Sequence, residues 1–185
     1  MSEPVLKRLP GPRLNRPGRL TEQAGLRTIM GRFATGITVL TAPGEHGHGM
    51  TANAFSSVSL EPPLVLCCVA RAARMHSAIV SAQSFGVSIL GAEQRELARY
   101  FADWRRPAGQ AQFDAVDCTP GEKTGAPLLD GSIAWLECTL QHHYEGGDHS
   151  IFVGAVVSCL RGADQDSLVF YGGGYHQIAE PARAA

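Results

Sequence analysis

Small polar side chains recur in residues 49–60, GMTANAFSSVSL, a segment whose other residues are mostly small or apolar. A strand edge lined by small side chains lets a flat ligand approach the backbone, whose N–H and C=O groups can then hydrogen-bond the edge of a heterocycle. The alternative is an ordinary amphipathic strand whose polar side chains face water, and the segment alone does not decide between them. The polar side chains are Thr51, Asn53, Ser56, Ser57 and Ser59.

Two arginines follow the uniformly apolar residues 64–70, which are typical of a strand covered on both faces. Arg71 and Arg74 stand where this strand ends and a helix predicted over residues 71–83 begins. Guanidinium groups and the free N–H groups of a helix N-terminus both favour an oxyanion, so the pair predicts a phosphate site. The alternative is that both are solvated loop residues. GxGxxG and GxxxxGK[ST] motifs are absent, which argues against a Rossmann fold and a P-loop.

The sequence offers no hydrolytic or metal-binding constellation. It contains no GxSxG, HExxH or CxxC motif, and Glu61 and Glu137 are too far apart in sequence to suggest a carboxylate pair. His46 and His48 form an HxH in a glycine-rich segment, where we interpret them as solvated rather than as metal ligands. These absences fit an enzyme whose cofactor carries the chemistry while the protein supplies position and electrostatics.

The predicted elements do not alternate as βαβ units, which favours a mainly antiparallel β-barrel with peripheral helices. Residues 103–125 read as an irregular loop in which Trp104 either folds over a ligand or anchors packing. The first helix, predicted over residues 21–34, has an apolar stripe of Leu26, Ile29, Met30 and Phe33. Further segments are strands at 37–42, 84–90, 132–144, 150–160 and 168–171, a helix at 93–102, and a flexible turn holding Tyr175.

Five segments together resemble the flavin reductase family, the NAD(P)H:flavin oxidoreductases with an FMN-binding split barrel. They are RFATGITVLTA, GMTANAFSSVSLEPPLVLCCV, FGVSIL, GGDHSIFVGAVV and LVFYGGGYHQI, within residues 27–178. The resemblance implies a mainly β, Greek-key-like antiparallel split barrel that forms a homodimer with flavin near the interface. It also implies hydride transfer from NADH or NADPH to FMN or FAD, with reduced flavin supplied to a partner monooxygenase.

The resemblance also implies roles for individual residues. His149 matches a histidine near the nicotinamide, and Asp148 is placed to fix its tautomer; the alternative is a hairpin-turn histidine. Tyr175 matches an aromatic residue beside the nicotinamide pocket, or else anchors C-terminal packing. Ser88 stands where the family often has Asn, and Gln94 is a weaker candidate. The remaining implied flavin-binding residues are Thr51, Ala52, Asn53, Ala54, Ser57, Val69, Ala70, Arg71, Arg74, Met75 and His76.

Length and composition favour one soluble domain over residues 21–180, with a flexible basic arm at residues 1–20 and a short tail at 181–185. The net charge of -1 argues against nucleic-acid binding, and no apolar run reaches the ~18 residues of a membrane span. The odd number of cysteines, five, predicts free thiols in a cytoplasmic protein.

Two other functions remain open from the sequence. The same barrel serves proteins that bind flavin or haem without turning over nicotinamide, as storage or sensor modules. The basic arm is either a docking segment for an acidic partner or a disordered tail. The sequence marks no contact that separates FMN from FAD or NADH from NADPH.

Overall fold

A computed structural model describes residues 22–45, 47–162 and 164–178. The predicted arm, the tail and His46 lie outside the described residues. The helices are α1 (Glu22–Met30), α2 (Arg74–Ala82) and α3 (Arg95–Ala102), with short 3₁₀ helices at Ala92–Gln94 and Gly109–Gln112. The strands are β1 (Thr35–Gly36), β2 (Thr38–Ala42), β3 (His48–Ala52), β4 (Phe55–Leu60), β5 (Pro63–Ala70), β6 (Ser84–Ile89), β7 (Cys118–Pro120), β8 (Pro127–Leu129), β9 (Ala134–Gly146), β10 (His149–Arg161), β11 (Leu168–Tyr171) and β12 (Gly174–Gln177).

The main sheet has seven antiparallel strands in the order β3-β2-β6-β9-β10-β5-β4. β3 and β4 lie at its opposite edges, although only Asn53 and Ala54 separate them in the chain. Three Cα steps span at most ~11 Å, so the two edges must lie close together and the sheet must curl. Because the described β3 and β4 do not pair with each other, the barrel stays split along this seam. The predicted mainly β, antiparallel split barrel with peripheral helices is confirmed.

The polar stretch over residues 49–60 is not one strand, as the sequence indicated, but two. The chain leaves the sheet edge at Asn53, and Ala54 O accepts a hydrogen bond of 2.9 Å from Cys68 N–H as the chain joins the other edge. Ser57 then pairs with Val65 of β5. The prediction that Ser57 continues the strand of Thr51 is therefore wrong, because the barrel seam lies between them.

The first helix ends at Met30, earlier than predicted, and its apolar stripe does not pack into the core of this chain. Leu26, Ile29, Met30 and Phe33 are 64%, 63%, 54% and 67% exposed. A contiguous apolar face of this kind on a folded domain is typical of a surface that meets another molecule.

Two groups of buried side chains support the barrel. The first fills its interior with Phe85 and Phe152, and α2 adds Met75 and Ile79. The second lies under α3, where Phe101 packs with residues that include Ile37, Leu90, Leu129 and Leu168. Both helices are therefore fixed against the strands that they cover, so side chains at their ends have defined positions relative to the sheet.

The C-terminal residues form a small sheet in the order β1-β11-β12. Tyr175 lies in β12 and packs edge-on against Phe170, with ring centroids 5.6 Å apart. The prediction of a flexible turn at Tyr175 is wrong, because the turn lies at Gly172 and Gly173, both with positive φ, and the chain then pairs back on β11. The loop at residues 103–125 is partly regular, since it contains Gly109–Gln112 and β7.

Candidate active site

A cavity of about 430 Å³ lies between the N-terminal end of α2, the C-terminal end of α3 and the edge strand β3. We call it the α2–α3 cavity. Two of the predicted flavin-binding residues, Thr51 and Arg74, line it. The full lining is His48, Met50, Thr51, Ala72, Ala73, Arg74, Phe101, Ala102, Trp104 and Arg106.

The backbone of β3 is open on the side that faces this cavity, since β3 pairs with β2 alone in the main sheet. Gly49 shows the direction of this edge: its N–H donates to Gln112 Oε1 at 2.8 Å, and its carbonyl accepts from Arg106. Because backbone groups alternate with a period of two, Thr51 directs its N–H and C=O to the same open edge. Thr51 thus presents an unpaired backbone edge where it lines the cavity, and the binding of a flat heterocycle there stays a prediction.

The N-terminus of α2 contributes cationic and N–H groups. Its N-cap is Ala73, which offers no side-chain hydrogen bond, and the first turn holds no acidic residue. Arg74 opens the helix and lines the α2–α3 cavity. Uncapped N–H groups and a guanidinium at one helix N-terminus suit a phosphate. The residues present thus fit a flavin phosphate beside a backbone edge for its ring.

Arg71 lies in a different group of contacts from Arg74. Its N–H donates to Asp148 O at 2.9 Å, and its Nη1 lies 3.8 Å from Glu145 Oε1 in an exposed ion pair. Such a pair contributes little to stability. The structure therefore does not bring Arg71 into the α2–α3 cavity with Arg74.

His149 and Asp148 form a hydrogen-bonded pair at the start of β10. His149 Nδ1 lies 2.8 Å from Asp148 Oδ1, and this hydrogen bond holds the pKa of Asp148 below its usual value. Register pairs His149 with Ala70 of β5, next to Arg71. With Nδ1 directed at a carboxylate, Nε2 is the ring nitrogen left to meet a ligand. The pairing that the sequence suggested for Asp148 is therefore present.

His76, in the first turn of α2, contacts the same strand, β10. Its Nε2 lies 2.9 Å from Ser150 Oγ, and its ring meets Phe152 edge-on with centroids 5.0 Å apart. Burial, together with the nearby His143 and Arg71, lowers the pKa of His76. His76 therefore contacts the face of β10 that carries Ser150 and Phe152, whereas His149 occupies the alternate face beside Ala70.

Other predicted residues lie apart from these groups. Val69 and Met75 are fully buried in the core, and neither is exposed to a ligand. Ser88 is also fully buried and accepts a hydrogen bond from Leu129 N–H at 3.0 Å. Gln94 accepts from Gly91 N–H and donates to Asp130 O. These last two side chains have structural partners and line none of the cavities described here.

Asn53 and Tyr175 lie toward the C-terminal sheet, and Ala52 is buried. Asn53 lines a cavity of about 610 Å³, here called the α1 cavity, which it shares with Arg27, Arg32 and Phe170 among others. Burial raises the pKa of Tyr175 and the nearby Arg99 lowers it, with a net rise. The barrel seam therefore separates Asn53 from the lining of the α2–α3 cavity, although Asn53 follows Thr51 by two residues.

Sequence reasoning missed a cluster of three residues beside the α2–α3 cavity, of which His48 and Arg106 line it and Gln112 holds both. The prediction that His48 is solvated is wrong. His48 is buried in β3 at 8% exposure, because β3 begins at His48 and the hairpin turn before it is shorter than expected. Arg106 Nη2 lies 3.0 Å from His48 Nε2, and Arg106 Nε lies 3.3 Å from Gln112 Oε1. Burial, and then the charges of Arg106 and Arg74, lower the pKa of His48 to about 4. Only the pair Arg105-Arg106 after the third predicted helix signalled this cluster in the sequence.

Trp104 lies at the rim of the α2–α3 cavity and is 83% exposed. This exposure argues against a packing role within this chain, and a ring beside a ligand stays a prediction. The described part of the chain has no helix long and apolar enough to cross a membrane.

The chain matches known proteins over most of its length. The family model of the flavin reductase like domain matches residues 30–179. Over 161 residues the chain is 47% identical to an NADH-dependent FAD reductase of Streptomyces globisporus, covering 87% of this chain and 88% of the relative. This match extends beyond the segments around the cavity and includes both halves of the barrel.

Solved structures agree with this match. The NADH:FAD oxidoreductase SgcE6 of Streptomyces globisporus C-1027 superposes with a TM-score of 0.84 and 46% identity, over 89% of this chain and 99% of that chain. The same protein has been solved with NAD and FAD fragments. BorF, the flavin reductase component of a bacterial two-component tryptophan halogenase, has a TM-score of 0.82 and 45% identity, over 85% of this chain and 99% of that chain. The chain belongs to the flavin reductase family.

Proposed function

We propose that this protein is an NADH-dependent flavin reductase that supplies reduced flavin to a partner monooxygenase. The observation that carries the proposal is the open backbone edge at Thr51, which faces the same cavity as Arg74 at the start of α2. When bound together, nicotinamide and flavin supply the chemistry, the transfer of a hydride from the nicotinamide C4 to the flavin N5.

The chain's own residues position the reactants and stabilise charge. Thr51 offers its backbone N–H to the edge of the flavin ring, where negative charge develops on reduction. Arg74 and the N–H groups that begin α2 hold a phosphate. His149, oriented by Asp148, directs Nε2 toward the nicotinamide. None of these roles requires a strong acid or base, in keeping with the absence of a carboxylate pair in the sequence.

The reductase is favoured over the alternative, a flavin- or haem-binding storage or sensor module. The similar proteins named above are reductases. The hydrogen-bonded pair of His149 and Asp148 also supports a second, nicotinamide-binding function, which a module that only binds flavin does not need.

The test mixes the purified protein with FMN or FAD and follows the absorbance of NADH or NADPH. We expect rapid oxidation of NADH that depends on added flavin, with the flavin bound at micromolar strength, about -8 kcal/mol. Retention of flavin without NADH oxidation would support the storage or sensor module instead. Failure to bind either flavin would contradict both functions.

We also propose a homodimer that buries the exposed apolar face of α1. Leu26, Ile29, Met30 and Phe33 form this face, and Val58 and Leu60 of the edge strand β4 are exposed as well. Met30 and Asn53 both line the α1 cavity, so a partner seated on α1 would lie near the barrel seam. A dimer formed there would place flavin near its interface, as the family resemblance implies.

A cytoplasmic location is proposed on the state of the thiols. The cysteines at positions 67, 68, 118, 138 and 159 are all free, and Cys67 and Cys138 are buried. Burial raises the pKa of each of these two thiols to about 12, which keeps them protonated and unreactive. Buried free thiols are ordinary in a reducing compartment.

A further inference from the structure

Two guanidinium groups line the α2–α3 cavity without a carboxylate to neutralise them. The ion pairs of the described residues involve Arg71, Arg99, Arg105, Arg161 and His149, and neither Arg74 nor Arg106. Asp103, the nearest acid in sequence, is taken by Arg105, whose Nη2 lies 2.9 Å from its Oδ2. The cavity therefore presents two guanidinium groups, and none of the residues that line it is acidic.

Arg106 is fixed in place by neutral acceptors. Its Nη1 donates to Asp103 O at 2.7 Å, its Nε to Gln112 Oε1, and its Nη2 to His48 Nε2 and to Gly49 O. Gln112 is itself fully buried and donates to Gly109 O at 2.7 Å. These contacts use four of the five N–H donors and leave one Nη1 N–H and the full charge of an oriented guanidinium for an anion, at little ordering cost.

His48 must be neutral for this arrangement, because Arg106 can only donate and His48 Nε2 must therefore accept. The buried position of His48 beside two arginines keeps it neutral at physiological pH. Burial lowers the pKa of Arg106, and the charge of Arg74 lowers it as well, against the opposite effects of Tyr100 and Asp103. Because both arginines line one cavity, their like charges repel each other. An anion between them would relieve this repulsion.

The cavity suits a diphosphate better than a single phosphate. Arg74 with the uncapped start of α2 provides one anion-binding element, and Arg106 provides a second from the loop after α3. A neighbouring cavity of about 340 Å³ shares His48 and Arg74 and continues along α2, so the space extends beyond one phosphate. Two oxyanions joined by a bridging oxygen would engage both elements.

Trp104 supplies an aromatic ring on which the base of a nucleotide diphosphate can stack. Its indole is 83% exposed at the cavity rim, two residues before Arg106. Nucleotide bases stack favourably on exposed aromatic side chains. FAD has a part for each of these positions. Its adenine would stack on Trp104, its diphosphate would lie between the arginines, and its flavin ring would meet the edge at Thr51.

We propose that Arg106 and Trp104 bind the adenosine diphosphate half of FAD and so make FAD a better substrate than FMN. This inference rests on the proposed flavin reductase function. FMN, with one phosphate and no adenine, would use Arg74 and the start of α2 but gain nothing from Trp104. Arg106 and Trp104 are therefore specificity-determining residues.

The test compares the full-length protein with Arg106→Gln and Trp104→Ala, in kinetics with FAD and FMN at saturating NADH. Loss of a charge-assisted contact should lower the ratio of kcat/KM for FAD to kcat/KM for FMN about tenfold in Arg106→Gln. Loss of stacking should lower it about fivefold or more in Trp104→Ala. Trp104→Phe keeps a ring and should restore most of the ratio. Arg161→Gln, which removes an exposed arginine paired with Asp164, is the matched control and should leave the ratio unchanged.

Titration of FAD and FMN without NADH separates this inference from the proposed function. Tighter binding of FAD than FMN that is lost in Arg106→Gln supports the inference even if NADH is not oxidised. Equal losses for FAD and FMN, or no loss for either, would overturn it. The proposal would also be overturned if Arg106→Gln raised the KM for NADH with FMN as acceptor and left the ratio of kcat/KM for FAD to kcat/KM for FMN unchanged. That result would assign the diphosphate site to NADH. Circular dichroism of each variant identifies any failure to fold. If Arg106→Gln does not fold, the ratio measured in Trp104→Ala decides the proposal.

Discussion

His149 Nδ1 lies 2.8 Å from Asp148 Oδ1, at the point where β10 begins beside the end of β5. The carboxylate selects the tautomer of His149, and the strand pairing to Ala70 fixes the position of the ring relative to the start of α2. Two neighbouring residues in a hairpin turn therefore present one ring nitrogen in a defined direction.

Substitution of His149 tests the role of this pair. His149→Ala should lower kcat/KM for NADH about five- to tenfold, since one orienting hydrogen bond contributes about 1 kcal/mol. Flavin affinity should stay within about twofold, because the proposed flavin contacts lie at Thr51 and Arg74. Steady-state kinetics and flavin titration measure the two quantities. His142→Ala, on the exposed part of β9, is the control, and unchanged turnover in His149→Ala would show that the assigned role is wrong.

Dimer formation through α1 is tested by placing a charge on its apolar face. Ile29→Glu should convert a dimer to a monomer, because a carboxylate buried in an apolar interface without a partner costs several kcal/mol. Light scattering coupled to size-exclusion chromatography gives the mass in solution. Val80→Glu on α2, a partly exposed apolar residue outside the proposed interface, should remain dimeric. A monomeric wild-type protein would contradict the proposal directly.

Gly154 is required by the close approach of Phe85 inside the barrel. A Cβ at Gly154 would lie 2.5 Å from Phe85 Cζ and 2.9 Å from Cys138 Cβ. Gly154→Ala should therefore lower the free energy of unfolding by about 1–3 kcal/mol through overpacking. Gly36→Ala is the matched control, since a Cβ there meets nothing within 4 Å. Chemical denaturation of both variants measures the difference, and equal stabilities would refute the packing argument.

His48 makes stability depend on pH in a defined direction. Its pKa is lowered from 6.5 to about 4 by burial and by Arg106 and Arg74. Between these values the unfolded chain binds a proton that the folded chain does not, so the free energy of unfolding falls as the pH falls from 6.5 to about 4. The full shift corresponds to about 3 kcal/mol, and solvent at the cavity reduces the expected loss to about 2 kcal/mol.

His48→Gln should remove this component, so its stability relative to wild type should improve as the pH is lowered through that range. Denaturation at several pH values measures the difference in free energy of unfolding between the two proteins. The effects of their carboxylates cancel, because both proteins have the same ones. A constant difference across the range would mean that His48 is protonated in the folded protein as readily as in the unfolded chain.

Glu137 is a buried carboxylate that stabilises the loop before β8. Burial raises its pKa, but hydrogen bonds from Thr124 N–H and Oγ1 and from Lys123 N–H outweigh this effect and leave the pKa below its usual value. The contribution of Glu137 to the free energy of unfolding is therefore present above pH 4.5, the pKa of the unfolded chain. It is lost as the pH falls through the lower pKa of the folded protein.

Glu137→Gln should lower the free energy of unfolding by about 1–3 kcal/mol at neutral pH, because a neutral amide replaces an acceptor of several hydrogen bonds. Glu61→Gln, at an exposed position in the turn before β5, is the control and should change stability little. If denaturation gave equal losses for both variants, the loop would not depend on this carboxylate.

The sequence alone determined the fold class and the chain segments around the site. Alternating and uniformly apolar runs predict strands because strand side chains repeat with a period of two, and this period is a local property. Two further features could be predicted for the same reason, since each depends on neighbours in sequence. They are the pairing of His149 with Asp148 and the start of α2 near Arg74.

Only the tertiary structure decided what lies across the barrel. The seam at Asn53 places Thr51 and Ser57 on opposite edges, and the curl of the sheet that causes this is a property of seven paired strands together. Likewise His48 lies far in sequence from Arg106 and Gln112, so no spacing rule predicts its contacts with them or its neutral state. Burial and long-range pairing set those properties, because both arise only when distant strands and loops pack against each other.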